Sequence, residues 1–214
     1  MKITLEFLNQ YIDNSEEYPE EYSKDIEFAK ENKLIGLEDI NFIEKLIELN
    51  KVNWANCLIV RCIKHKINKI NYTIYAIEQV IDIYEKEHTN DNKPRKIIEN
   101  IKLWIKNSYQ KNNNLINNEI NNVKNIITKN KELNILEIST WSAILNVLNI
   151  LSMINETNNM LENVDEIINA VAESEALNAA SRIIDSNNIA YNEMLKKIIN
   201  NGIEILKGEN NENN

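Results

Sequence analysis

Lys93-Pro94-Arg95-Lys96-Ile97-Ile98-Glu99-Asn100-Ile101-Lys102-Leu103-Trp104-Ile105 decides how the whole chain is read. Pro94 suits the first turn of a helix, where no amide hydrogen is needed and the ring presets φ. Ile97, Ile98, Ile101, Trp104 and Ile105 recur at steps of one, three and four residues, which makes one helical stripe. Before it, Glu87-His88-Thr89-Asn90-Asp91-Asn92 is a polar loop. Further upstream, Tyr75, Ala76, Val80, Ile83 and Tyr84 share a broad face of a helix predicted to open at Tyr72 or Thr73. Two helices joined by so short a loop pack antiparallel.

The same period runs outward in both directions. Leu5, Leu8 and Ile12, then Ile26 and Ala29, precede Gly36, which fits a helix stop. Ile40, Ile43 and Ile47, followed by Trp54, Cys57, Leu58 and Cys62, predict two helices parted near Asn50 to Asn53, with Asn53 as cap of the second. Ile116, Ile120, Val123 and Ile127 carry the spacing through the asparagine-rich residues 110–134. Trp141, Ile144, Leu145, Leu148 and Leu151 form the most apolar segment, read as a central helix, and Val164, Ile167, Ile168 and Val171 continue the pattern. Ala170, Ala172, Ala176, Ala179 and Ala180 offer small side chains for close helix approach. A last helix uses Ile189, Met194, Leu195, Ile198, Ile199 and Ile203, and residues 208–214 are expected to fray.

Three glycines and two prolines in 214 residues are too few to turn the chain between many short strands. The abundant isoleucines favour extended chain locally, but the 3.6-residue period overrides that preference. The expectation is all-α: a compact multi-helix bundle of roughly nine to eleven helices, mostly antiparallel neighbours. An N-terminal half over 1–108 and a C-terminal half over 109–207 would pack on each other.

The net charge of −9 is unevenly placed. Residues 1–50 hold thirteen acids against five bases, residues 51–110 six against eleven, and residues 111–214 fourteen against eight. That balance argues against generic nucleic-acid or anionic-membrane binding, which needs clustered Lys and Arg. The acidic first residues and the lack of an apolar run of about 18 residues predict no signal sequence or membrane span, hence a cytoplasmic protein. Cys57 and Cys62 lie five apart in one predicted helix, point to different sides, and read as reduced thiols.

Motifs for chemistry are sparse. No Gly-x-Gly-x-x-Gly, Walker loop or Gly-x-Ser-x-Gly elbow occurs, so phosphate-cradling and elbow-nucleophile enzymes are excluded and no catalytic residue is assigned. Cys62 and His65 share a helical face at metal-ligand spacing, but no second Cys or His pair completes a zinc site, and His88 sits alone in its loop. Glu78, Asp82 and Glu85 line one face at steps of four and three, without the Glu-x-x-His motif of a di-metal bundle. No metal or cofactor is expected.

Arginine is scarce, with Arg61, Arg95 and Arg182 against 21 lysines, so each arginine suggests a bidentate role that Lys cannot fill. Arg95 can reach Glu99 one turn on, and Arg61 could pair across helices with Glu78 or Asp82. Arg61, Glu78, Asp82, Glu85, Arg95 and Glu99 are therefore the candidate binding residues. Trp54, Tyr75, Pro94, Trp104 and Trp141 are the candidate core anchors, with Trp54 and Trp104 expected in the same half.

Three strings together resemble the family of immunity proteins, small helical proteins carried by phages, prophages and toxin-immunity clusters. They are Asn53-Trp54-Ala55-Asn56, Tyr75-Ala76-Ile77-Glu78-Gln79-Val80 and Lys93-Pro94-Arg95-Lys96, closed by Trp104. The resemblance covers about residues 39–108, with a looser echo at 169–181. The family shows Arg-Pro-Arg where this chain has Lys93, a Tyr-Pro where it has His88-Thr89, and an alanine pair where it has Asn100-Ile101. What the resemblance implies is a non-enzymatic immunity or inhibitor protein of phage or prophage origin, anti-defence and anti-CRISPR-like. It would bind and neutralise a toxin or a bacterial defence effector, so a protein partner is expected, and a homo-oligomer is compatible with it. The other reading is a helical module that sequesters a nucleotide-type signal between helices with Arg61, Arg95 and Trp54.

Overall fold

A computed structural model describes residues 1–13, 19–107, 113–129, 132–156, 164–181 and 188–212. They form an all-α bundle of ten helices: α1 Leu5–Asp13, α2 Pro19–Glu31, α3 Asp39–Glu48, α4 Val52–Cys62, α5 Lys66–Glu87, α6 Lys93–Lys106, α7 Asn113–Lys129, α8 Ile135–Glu156, α9 Val164–Ser181 and α10 Asn188–Glu212. Among the described residues the extended pairing is one bridge between Lys2 and Glu38. Arg182 and the side chains of Ile12, Val164 and Ile189 lie outside the described residues.

Helix α5 organises the rest because it is apolar on two stripes. Tyr72, Ala76, Val80 and Tyr84, spaced by four, face a first core with Phe42 and Leu46 of α3, Leu58 and Ile59 of α4, and Leu195, Ile198 and Ile199 of α10. Ile70, Ile74, Ile77 and Ile81 face a second core with Ile97, Ile98 and Ile101 of α6, Ile116 and Val123 of α7, and Trp141, Ile144 and Leu148 of α8. Each such side chain, fully buried, contributes roughly 1.5–3 kcal/mol through apolar area removed from water. The cores are divided by the two faces of α5 rather than by position along the chain. The first draws on residues from Ile3 to Leu206, and the second on residues from Ile70 to Ile168.

Helix α9 closes both, presenting Ala172, Ala176, Ala179 and Ala180 to the first core and Ile168 to the second. Its alanines let it lie close along α5. Gly202 does the same for α10, where an added Cβ would sit 2.5 Å from Ile59 Cγ1 and 2.8 Å from Tyr72 Cε2. Contrary to the expectation of no apolar run of such length, α8 is by length and composition apolar enough over Ile135–Ile154 to cross a membrane. Half of that window is buried against neighbouring helices, the environment of a core helix.

Local expectations needed correcting at five points. Helix α2 ends through Lys33, at φ 55°, with Leu34 N–H donating to Ala29 O at 2.9 Å; Gly36, at φ 89°, belongs to the next turn. Asn50, at φ 58°, ends α3 in the same way, and α4 starts at Val52, so Asn53 is inside the helix and caps nothing. Helix α5 opens at Lys66, six residues before Tyr72. Residues 208–212 do not fray, because α10 runs to Glu212 and Glu209 is buried. The two tryptophans do not share a core. Trp54 packs edge-on against Phe28 and Phe42 in the first, whereas Trp104 is half-buried at the edge of the second. Trp141 and Pro94 are buried, and Tyr75 is half-buried against the first core.

Candidate functional site

The turn between α5 and α6 sets up the first group of charges. Asp91 accepts the Lys93 amide at 3.0 Å and the Tyr84 hydroxyl at 2.9 Å, which fixes the loop and starts α6. The antiparallel register then sets residue 95 opposite 85 and residue 102 opposite 78. Arg95 Nε donates to Glu85 Oε1 at 2.8 Å, and its Nη2 reaches Glu85 Oε2 at 2.7 Å and Asp82 Oδ1 at 2.6 Å. Lys102 pairs with Glu78. Hydrogen bonds from Glu85 and then Asp82 raise the guanidinium pKa further, which changes nothing at any ordinary pH. Three of the six candidate carboxylates and arginines predicted from sequence thus meet Arg95 or Lys102 on one edge, while Glu99 stays exposed and outside these bonds. The predicted Arg95–Glu99 pair is replaced by a pair across the hairpin, because α5 brings two carboxylates to the same guanidinium.

Arg61 goes elsewhere. Its Nε lies 3.4 Å from Glu173 Oε1 on α9, on the side of α5 away from α6, so it pairs with neither Glu78 nor Asp82. Around it runs a polar seam between α4, α5 and α9. The Tyr72 hydroxyl donates to Asn56 Oδ1 at 2.6 Å, and Asn56 Nδ2 donates to Glu173 O at 3.1 Å. Lys69 Nζ donates to Asn169 Oδ1 at 2.6 Å. The Cys57 thiol lies beside the Glu173 carboxyl group. Burial raises the Glu173 pKa against the opposing pull of Arg61 and lowers that of Lys69. Burial also pushes Cys57 far up and Cys62 up to about 12. Thiols held protonated in this way are not nucleophiles at neutral pH.

The Cys62–His65 spacing is not a shared helical face, since α4 ends at Cys62 and His65 is the exposed residue preceding α5. No motif or spacing pointed to Glu209. From α10 its carboxylate accepts the Lys64 and His65 amides at 2.9 and 3.1 Å and Asn68 Nδ2 at 2.8 Å, so it serves the orphan donors at the start of α5. Burial pushes its pKa up, and these donors outweigh it, leaving the carboxyl below its ordinary value. His88 closes α5, stacked on Tyr84 at 4.4 Å and 3.9 Å from Glu137 Oε1. Among the described residues, no group of three His, Cys, Asp or Glu could hold a metal ion.

Two concavities bordered by described residues stand out. One, of about 550 Å³, lies along α10 beside α3 and α5, and its charges are matched locally by Lys196–Glu193, Lys207–Glu204 and a Lys197 bond to Gln79. The other, of about 300 Å³, lies between α8 and α9 over Val80 of α5. Ala143, Ile135 and Ile138 give it an apolar side, and Ile135 is 75% exposed. Ser139, Ser142, Asn146 and Asn178 give it a polar side, with Glu175 buried in its wall and accepting from Asn146 Nδ2 at 2.8 Å. No sequence signal pointed here, because the groove is made by the crossing of two helices rather than by a motif. Arg61, Arg95 and Trp54, the set expected around a nucleotide, lie at three separate places and line neither concavity. Compared with family models, curated proteins and solved structures, the chain matches none.

Proposed function

We propose that this chain is a non-enzymatic immunity or inhibitor protein that binds and neutralises a toxin or a bacterial defence effector. The observation that carries the reading is the exposure of Ile135 and Ile138 beside a groove, on a helix otherwise committed to the core. Ile135, 75% exposed, and Ile138, 44% exposed, stand one turn apart and make a small apolar patch beside the concavity, a surface that a protein partner would cover. The ionisable groups support it as well. The buried Cys62 thiol and the half-buried Cys57 thiol are held protonated, and Arg61 and Arg95 are tied to carboxylates across helices, so these groups offer contacts rather than reactive atoms. The resemblance of residues 39–108 to immunity proteins points the same way.

The test is co-expression with the effectors encoded in the same gene cluster. The expected result is growth rescued from one of them, with a one-to-one complex surviving gel filtration. Turnover of the effector or of any substrate by the purified chain alone would overturn the reading.

A further inference from the structure

We infer that the outer face of α6 is an interaction surface and that its occupant is an acidic amphipathic segment of a partner protein, with carboxylates meeting Lys93 and Lys96 and aliphatic side chains covering Leu103 and the edge of Trp104. The inference goes beyond the reading above, because this surface is not the patch at Ile135 and Ile138 and its partner need not be a toxin or a defence effector.

Charge selects the occupant. Five of the six charged side chains on α6 are basic, in a chain of net charge −9. Arg95 and Lys102 are held by Asp82, Glu85 and Glu78 of α5. Lys93, Lys96 and Lys106 are exposed and pair with no acid among the described residues. Lys93, Lys96, Asn100 and Leu103 follow one another at steps of three, four and three, all exposed, so they share the face turned away from buried Ile97, Ile98 and Ile101. Glu99, the one acid of the helix, falls by helical period between Leu103 and the α5 edge, on the same side as Lys106. Two uncompensated lysines therefore remain on the face itself.

Shape selects the rest. Leu103 is 53% exposed, and Trp104 beside it is half-buried, whereas Trp54 and Trp141 are enclosed in the two cores. Lys96 stands two turns, about 10 Å, from Leu103. A partner helix with its carboxylates two turns from its aliphatic residues matches that spacing. At physiological salt the field of the chain's other acids is screened over about 8 Å, so a short segment meets the local lysines, while a nucleic acid or an anionic membrane extends past them to the acidic remainder. A second copy could offer Ile135 and Ile138, but the acid between them, Glu137, already lies against His88.

The test uses isotope-labelled full-length chain titrated with short synthetic helical peptides of leucine and glutamate, of leucine and lysine in the same pattern, and of serine and glutamate. The leucine–glutamate peptide should move the amides of Lys96, Asn100 and Leu103 and the Trp104 indole N–H, and bind at least about tenfold better than the leucine–lysine peptide. Its affinity should fall as salt rises. Lys93→Gln with Lys96→Gln should weaken it about fivefold, as expected from losing two charges at the rim of a contact. Leu103→Ser should weaken it as well, and since all three positions are exposed the melting temperatures should stay unchanged. A footprint on the α8–α9 groove or on α10, equal binding of the glutamate and lysine peptides, or binding indifferent to Leu103→Ser overturns the assignment. So does a single-stranded oligonucleotide or an anionic phospholipid vesicle that binds this face more tightly than the leucine–glutamate peptide, or a dimer of the free chain that Leu103→Ser dissociates. The peptide result decides the inference whatever effector co-expression shows.

Discussion

The seam between α4, α5 and α9 and the edge between α5 and α6 are made of the same residue types and sit on opposite sides of one helix. At the edge, Arg95 makes better bonds, reaching two carboxylates through four contacts of 2.6–3.0 Å. In the seam, Arg61 has a longer approach of 3.4 Å to Glu173. Geometry alone would rank the edge higher. Solvent reverses the ranking, because Asp82 is 54% exposed in its side chain while Glu173 is 18% exposed. A surface pair gains little over hydration, whereas a buried carboxylate that loses its cation has no water to replace it.

The largest effect is therefore expected from Arg61→Ala. Full burial would put the loss at about 3–5 kcal/mol, and the remaining exposure of both partners brings it to about 2 kcal/mol. Adding Glu173→Gln should restore part of it, and a double-mutant cycle in urea measures the coupling. Arg61→Ala without loss of stability would place the seam on a par with the edge. Close behind comes Gly202→Ala. A methyl group there must displace Ile59 or the Tyr72 ring that bonds Asn56, at a cost of about 1–3 kcal/mol despite the gain in helix propensity. A more stable variant would mean that α10 can move off the seam freely.

Two carboxylates sharpen the comparison through pH. For Glu209 the folded value lies below the ordinary 4.5, so its stabilisation is complete above 4.5 and is lost as pH falls through the folded value. For Glu173 the folded value lies above 4.5, so its contribution favours the fold at low pH and fades as pH rises through that value. Glu209→Gln should thus lower stability at neutral pH by about 1 kcal/mol and flatten the loss on acidification below 4.5. Melting temperatures of the two proteins across that range check it, and parallel curves would show that Glu209 does not cap α5.

How much of this could be read in the sequence follows from range. Helical stripes such as Ile97, Ile98 and Ile101 are local, and the bundle followed from them. The α5–α6 edge was half legible. Three carboxylates spaced by four and three had to share a face, and Pro94 marked where the chain returned, but the choice of Glu85 over Glu99 needed the register of the hairpin. The two-sided burial of α5 hid in plain view, since Tyr72-Thr73-Ile74 reads as one broad apolar surface. Glu209 and Glu173 were invisible because each meets donors more than a hundred positions away. At sequence range Glu209 sits among asparagines near a chain end and looks like a fraying tail.

The smallest effect belongs to Arg95. With the Asp82 side chain 54% exposed and that of Glu85 31% exposed, Arg95→Ala should cost less than about 1 kcal/mol, and the cost should shrink further in high salt as screening removes what the pair gains. Arg95→Lys should recover little of it, because a point charge cannot hold Glu85 in two parallel bonds and reach Asp82 at the same time. Melting curves at low and high salt distinguish the outcomes. A salt-insensitive loss as large as that of Arg61→Ala would mean that the edge is held as tightly as the seam, and that the exposure of Asp82 does not describe what Arg95 experiences.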